Sequence, residues 1–127
     1  MTAAVKKRPK YLDLTRIKQP IPAIVSILHR ISGAALFLFI PAGLAALQSS
    51  FGSTEDFARW SGFFAHPLSK LILLALSWAY LHHFLAGIRY LLLDLHIGID
   101  LKSARMTSFA VIGVSVLATL LIAIRLW

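Results

Sequence analysis

The stretch AYLHHFLAGIRYLLLD, residues Ala79–Asp94, decides what kind of fold this chain adopts. It belongs to one of three long apolar runs, yet it carries two adjacent histidines, an arginine and an aspartate. Titratable side chains inside a membrane span cost a few kcal/mol on insertion scales, so they usually face protein or a cofactor. The stretch therefore predicts a membrane helix that has a functional polar face.

The composition of the whole chain is that of an integral membrane protein. Of 127 residues, 58% are hydrophobic and 14% are charged, whereas soluble domains average about 25% charged residues. The absence of cysteine excludes disulfides, thiolate metal sites and cysteine-ligated iron–sulfur clusters within this chain. The net charge of +8 comes from basic residues that cluster near span ends, so we attribute it to membrane orientation and expect no nucleic-acid partner.

The three apolar runs predict transmembrane helices over about residues 24–47, 67–93 and 104–124. A hydrocarbon core about 30 Å thick needs about 20 apolar residues as a helix. A polar, glycine-rich connection with interfacial aromatics separates the first two runs, and a short turn joins the last two. The predicted fold class is an all-α integral membrane protein, with residues 1–23 as an N-terminal segment and residues 24–127 as a three-helix membrane anchor.

Basic residues flank these spans asymmetrically. The segment before Ala23 holds Lys6, Lys7, Arg8, Lys10, Arg16 and Lys18. Because cytoplasmic flanks carry the excess of Lys and Arg, the N-terminus is expected in the cytoplasm and Trp127 in the periplasm. The basic segment is proline-broken and no small-residue cleavage site follows it, so we expect it to be retained. The expected location is the bacterial inner (cytoplasmic) membrane, crossed several times.

One helical face of the second span combines an imidazole with open space. His83, Gly87 and Tyr90 share that face, whereas His82 and Arg89 lie on a stripe turned about 100° away. Gly87, one turn beyond His83, removes a side chain where a flat ligand could press against the backbone. A haem-bearing helix needs both an imidazole nitrogen for the iron and room for the porphyrin edge. On spacing alone, however, a histidine that only makes an interhelical hydrogen bond is the more common case.

The start of the first span adds polar groups near the cytoplasmic boundary. The stretch SILHRISG places Ser26, His29, Arg30 and Gly33 on one helical face. A hydroxyl and a guanidinium there could bind a quinone carbonyl, and the guanidinium and imidazole could meet haem propionates. The alternative is that Arg30 extends to the lipid headgroups and Ser26 bonds its own backbone. Spacing alone favours that alternative slightly.

Taken together, SILHRISG (Ser26–Gly33) and HFLAGIRYLLLD (His83–Asp94) resemble two motifs of the cytochrome b membrane-anchor subunit of succinate dehydrogenase. The opening stretch RPKYLDL (Arg8–Leu14) and the three-helix layout are similar too, so the resemblance covers essentially the whole chain. It implies a membrane-anchor subunit of succinate:quinone oxidoreductase, respiratory complex II of the tricarboxylic acid cycle. Such a chain is part of an enzyme but is not catalytic alone.

The resemblance also implies roles for individual residues. His83 matches the axial ligand of haem b, whereas His82 does not. Ser26 and Arg30 match residues that line the ubiquinone pocket, and His29 and Arg30 match positions near the haem propionates. The family has a histidine where this chain has Tyr90, whose phenol could hydrogen-bond a propionate but carries no positive charge.

The resemblance also implies partner subunits. Haem b would be shared with a second small haem-binding anchor subunit, and ubiquinone would be the substrate. With no cysteine and no nucleotide-binding pattern here, the clusters and the flavin belong to an iron–sulfur subunit and a flavoprotein subunit. A fumarate-reducing direction stays open, because the quinone and the partner subunits set it. A different class also stays open: a purely structural or transport subunit in which His82, His83, Arg89 and Asp94 form a proton or ion relay without haem.

The depths of the histidines bear on the second axial ligand. Counted from the predicted span ends at 1.5 Å per residue, His83 lies roughly 15 Å deep and His29 roughly 8 Å deep. This mismatch predicts that His29 is not the second axial ligand, which then comes from another chain.

Overall fold

The computed structural model describes residues 17–127, which form four helices. They are α1 (Ile21–Ser50), α2 (Thr54–Ala65), α3 (Pro67–Asp94) and α4 (Leu101–Leu126). The basic residues up to Arg16 and the RPKYLDL stretch lie outside the described residues. The predicted division at residue 23 therefore stays a prediction.

Three of these helices, α1, α3 and α4, are long and apolar enough to cross a membrane. They contain 30, 28 and 26 residues, which at 1.5 Å per residue is about 39–45 Å and exceeds a hydrocarbon core of about 30 Å. The predicted all-α class with three candidate spans is confirmed. The first helix begins at Ile21, earlier than predicted, because Pro22 fits the first turn of a helix, where no N–H is needed. It continues through Pro41.

The connection between the first two spans is itself helical, which the sequence did not predict. Ser53 caps α2: its hydroxyl oxygen accepts a hydrogen bond from the Asp56 N–H at 3.0 Å. The Asp56 carboxylate, in the first turn, favours the helix N-terminus further. Trp60, Phe63 and Phe64 form an aromatic cluster on this helix, with ring centroids 5.4–5.7 Å apart. Such a helix suits the membrane interface, where aromatic rings concentrate.

The three long helices pack with α3 in contact with both α1 and α4, and α1 also contacts α4. The core is small: Val25, Ala86 and Val111 meet where the three helices converge. Large apolar side chains such as Phe37 and Leu38 point outward. An apolar exterior around a small core is the arrangement that a bilayer or other membrane subunits would cover.

Polar contacts form at both ends of the α3–α4 pair, within α4 at one end and between the two helices at the other. At one end, Asp100 caps α4 by accepting a hydrogen bond from the Ser103 N–H at 2.9 Å. Gly98, in the same turn, adopts a φ of +74°, which a glycine takes without steric cost. At the other end, the Lys70 ammonium donates to the Leu126 carbonyl at 2.8 Å and lies 5.3 Å from the Trp127 ring. This contact joins the start of α3 to the end of α4, as in an antiparallel pair.

Candidate functional site

The two motifs singled out in the sequence meet at the contact between α1 and α3. The His29 and His83 rings stack with centroids 4.1 Å apart and planes 8° from parallel. Tyr90 joins them, its ring centroid 5.2 Å from that of His29. All three side chains are partly exposed, so they line a surface that a ligand or a partner chain can reach.

Glycines decide how closely these rings approach the opposite helix. A Cβ added to Gly33 would lie 2.7 Å from Cε1 of His83, and a Cβ added to Gly87 would lie 3.7 Å from Nε2 of His29. Each helix carries a histidine four residues before a glycine, and the helices are antiparallel, so each imidazole lies over the glycine of the other helix. Gly33 of the opposite helix thus provides the space for the His83 ring, and the suggestion that Gly87 leaves room for a flat ligand stays a prediction.

The hydrogen bonds of His83 select one form of its ring. Nδ1 lies 3.0 Å from the His29 carbonyl oxygen, which can only accept, so Nδ1 carries the proton and donates it. The Ser32 hydroxyl donates to the same carbonyl at 3.0 Å and lies 3.4 Å from Nδ1. The other nitrogen, Nε2, keeps its lone pair. This is the arrangement that metal-ligating histidines adopt, with the second nitrogen bonded to a backbone carbonyl.

The predicted difference in depth between His29 and His83, roughly 7 Å at 1.5 Å per residue, is too large, because their ring centroids lie only 4.1 Å apart. Since α1 begins at Ile21, His29 lies about 12 Å from its helix end and His83 about 16 Å from the end of α3, at 1.5 Å per residue. Orientation separates the two histidines instead. Rings stacked face to face do not direct a nitrogen from each side at one metal ion.

The remaining predicted site residues lie around this pair. Arg30 is exposed and Ser26 is partly buried. The Ser26 hydroxyl donates to no backbone carbonyl within residues 17–127. The Ser77 hydroxyl on α3, by contrast, donates to a carbonyl of its own preceding turn. The Tyr90 hydroxyl is buried and has no hydrogen-bond partner in the part of the chain that the structure describes. Ser26 thus keeps hydrogen-bonding capacity for a group outside residues 17–127, and the buried Tyr90 hydroxyl lacks a partner within them.

His82 faces the other way and is fully buried. Its ring stacks on Trp78 at 5.2 Å, and neither ring nitrogen has a hydrogen-bond partner within residues 17–127. Arg89, on the same stripe, donates instead to Thr107 on α4. The groups that a proton relay would need are therefore not joined by hydrogen bonds in this range.

A metal site made of protein side chains alone is not formed by the described residues. Among residues 17–127, no group of three or more His, Cys, Asp or Glu is placed to hold a metal ion. A single oriented imidazole suits a metal that arrives in a prosthetic group with ligands of its own, as haem iron does.

The chain is similar to proteins of one family along nearly its whole length. The family described as "Succinate dehydrogenase/Fumarate reductase transmembrane subunit" matches residues 4–122. The succinate dehydrogenase cytochrome b556 subunit of Coxiella burnetii is 37% identical over 122 residues, covering 95% of this chain and 98% of that protein. The proteins of the same name from Rickettsia bellii and Paracoccus denitrificans are 35% and 33% identical. They cover 91% and 90% of this chain and 90% and 88% of their own lengths.

Proposed function

Because the chain belongs to the succinate dehydrogenase/fumarate reductase transmembrane subunit family, we propose that it supplies one axial ligand to a haem b and part of a ubiquinone site. Family membership itself makes the chain a membrane subunit of this oxidoreductase complex. The relatives carry the name cytochrome b556, and we extend the haem that this name implies to the present chain.

The observation that carries the haem proposal is the hydrogen bond between Nδ1 of His83 and the His29 carbonyl. It leaves Nε2 of His83 as the nitrogen able to bind iron. Arg30 is the cation, and Tyr90 the unbonded hydroxyl, that would hold the propionates. When bound, the haem would supply a one-electron carrier inside the membrane.

The quinone proposal depends on Ser26 and Arg30, one turn apart on α1. A hydroxyl not engaged with its own helix and an exposed guanidinium are two donors for a carbonyl oxygen. They would hold the quinone head near the end of α1, where protons from the aqueous phase can reach it. The role of this chain is then to bind and orient the quinone while electrons arrive from elsewhere.

Those electrons need partner subunits. The chain contains no cysteine, so an iron–sulfur subunit would deliver the electrons, and a flavoprotein subunit would oxidise succinate. The second axial imidazole would come from a second small membrane anchor, since the His29 ring is stacked on His83 rather than opposed to it. With the N-terminus in the cytoplasm, the complex would lie in a bacterial inner membrane, as the bacterial relatives suggest.

Substitutions on α1 test the quinone site. Ser26→Ala and Arg30→Leu should lower succinate–quinone turnover by about tenfold or more, in line with losing a charged or neutral hydrogen bond. Reduction of an artificial dye upstream of the quinone should stay unchanged. Ser77→Ala is the matched control, because this hydroxyl is bonded to its own helix. Equal loss of both activities in the Ser26 and Arg30 variants would contradict the assignment.

A spectrum separates this proposal from a haem-free relay. Membranes that contain the chain and its partners should show a reduced-minus-oxidised difference spectrum of a b-type haem. A complex that assembles fully without that spectrum would favour the relay.

A further inference from the structure

Arg89 is a buried cation that makes no hydrogen bond to the site described above, although its Cζ lies 5.4 Å from the centre of the Tyr90 ring. Only 6% of its surface is exposed. Its Nε donates to the Thr107 hydroxyl at 3.0 Å and its Nη2 to the Ala104 carbonyl at 3.4 Å, both on α4. The ion pairs found within residues 17–127 all involve Arg59, so no carboxylate in that range neutralises Arg89. Neutral acceptors leave the full positive charge in place, and a buried charge without a counter-charge is costly.

An apolar groove of about 220 Å³ lies beside this guanidinium, between α3 and α4. Its lining includes Leu85, Ile88 and Leu92 of α3, Ala110 of α4 and, in the turn between the helices, Gly98. Arg89 itself lines the groove, and its Nη1 donates to no acceptor within residues 17–127. The groove thus combines apolar walls with one cation that can take another hydrogen-bond acceptor.

The depth of Arg89 places it at the boundary between the acyl chains and the headgroup region. The 28 residues of α3 span about 42 Å, which leaves about 6 Å beyond each side of a hydrocarbon core of about 30 Å. Arg89 is five residues before the end of α3 at Asp94, or about 8 Å, so it lies near the hydrocarbon boundary. Leu85 lies about 6 Å deeper, among acyl chains.

We propose that this groove binds one anionic phospholipid. Its phosphate accepts hydrogen bonds from Arg89, and one acyl chain lies along the apolar wall formed by Ile88, Leu92 and Ala110. Guanidinium groups are well suited to phosphate, since they offer several donors in one plane. Lys102 and Arg105, both exposed at the start of α4, add positive charge at the same membrane surface. They offset Asp94 and Asp100, which are exposed at the same end, so the charge of Arg89 remains and favours a lipid with net negative charge over a zwitterionic one.

A purely structural role for Arg89, joining α3 to α4, predicts no lipid preference. The two roles are separated by a variant that fills the groove and keeps the arginine. Ala110→Trp does this, because Ala110 is exposed in the groove and makes no contact that the hydrogen bonds of Arg89 require. Gly113→Trp is its matched control on the same helix, at a position with open space around it.

The experiment uses the whole complex, purified in mild detergent and reconstituted into nanodiscs of phosphatidylcholine containing a minor fraction of phosphatidylglycerol. After a delipidating wash, the retained lipids are quantified by mass spectrometry. We expect about one phosphatidylglycerol retained at this groove in the wild type, and at least fivefold less retention there in Ala110→Trp and Arg89→Gln. Gly113→Trp and Arg125→Gln, a charge change at the far end of α4, should behave as the wild type.

Three results would overturn the proposal. The first is that Ala110→Trp retains as much phosphatidylglycerol as the wild type, and the second is that the wild type retains both lipids in proportion to their supply. The third is that Ala110→Trp loses its partner subunits while Gly113→Trp keeps them, which would make the groove a subunit interface.

Discussion

Gly33 is the residue whose small size matters most for the arrangement of His83. A methyl carbon added at this position would lie 2.7 Å from Cε1 of His83. This is shorter than any van der Waals contact, so an alanine must displace the imidazole or the helix. Moving the ring also breaks its hydrogen bond to the His29 carbonyl. The orientation of His83 thus depends on a residue of a different helix.

Gly33→Ala should therefore lower the haem content of the purified complex to about half or less, and weaken the low-spin spectrum of what remains. A shift of about 1 Å in a ligand is enough to disturb a site of this kind. Gly43→Ala, on the same helix and with no atom within 4 Å of the new methyl group, is the control. If both variants retain haem equally, close packing of Gly33 against His83 is not required for binding.

At this scale the sequence predicted which residues share a face but not which residues meet. Spacing within α3 gave His83 and Gly87 a common face, and the natural inference was that they serve the same ligand. The structure pairs His83 with Gly33 and His29 with Gly87, because the register of two antiparallel helices is set by packing along their whole contact. The hydrogen bond to the His29 carbonyl likewise depends on that register and leaves no signal in the sequence.

Among the elements, the three long helices were predictable because each is a continuous apolar run, and in a bilayer such a run satisfies its own backbone only as a helix. Helix α2 was missed for the opposite reason. It is short and amphipathic, and its polar residues are also typical of a connecting loop. The signal was present in Ser53 followed by Asp56, a capping residue and an acidic group in the first turn.

The cap of α4 gives a prediction about pH. The pKa of Asp100 is lowered below its ordinary value, and the largest cause is its hydrogen bonds with Ser103. A carboxyl whose pKa is lower in the folded state stabilises the fold above its unfolded pKa of about 3.9, and this contribution is lost as the pH falls through the folded pKa.

The difference in thermal midpoint between the wild-type complex and Asp100→Ala should then be largest at neutral pH and shrink below about pH 4. Asp100→Asn, which can still cap the helix, should stay close to the wild type at neutral pH. A difference between wild type and Asp100→Ala that is constant from pH 7 to pH 3 would show that the ionised carboxylate does not act as the cap.

For the whole molecule, three spanning helices require the two termini to lie on opposite sides of the membrane. The positive residues before Ala23 predict, by the positive-inside rule, that the N-terminus lies in the cytoplasm. A reporter enzyme that is active only in the periplasm should therefore be active when it is fused after Trp127. The same reporter inserted between α3 and α4 should be inactive, because that turn is expected in the cytoplasm. A cytoplasmic reading at both positions would contradict the predicted orientation.

The opposite placement of the two adjacent histidines is the feature on which the account of the complex depends. His83 lies at the α1 contact with Nδ1 bonded to a carbonyl, whereas His82 is fully buried against Trp78. The haem of the assembled complex should accordingly depend on one of them and not on the other.

The most direct measurement is the haem content and low-spin spectrum of the complexes carrying His83→Leu and His82→Leu. We predict that His83→Leu loses most of the haem or its bis-histidine spectrum, and that His82→Leu retains both, provided that subunit composition is unchanged in each. The contrary result, a His82→Leu complex without the bis-histidine spectrum beside a His83→Leu complex that keeps it, would show that His83 is not the axial ligand.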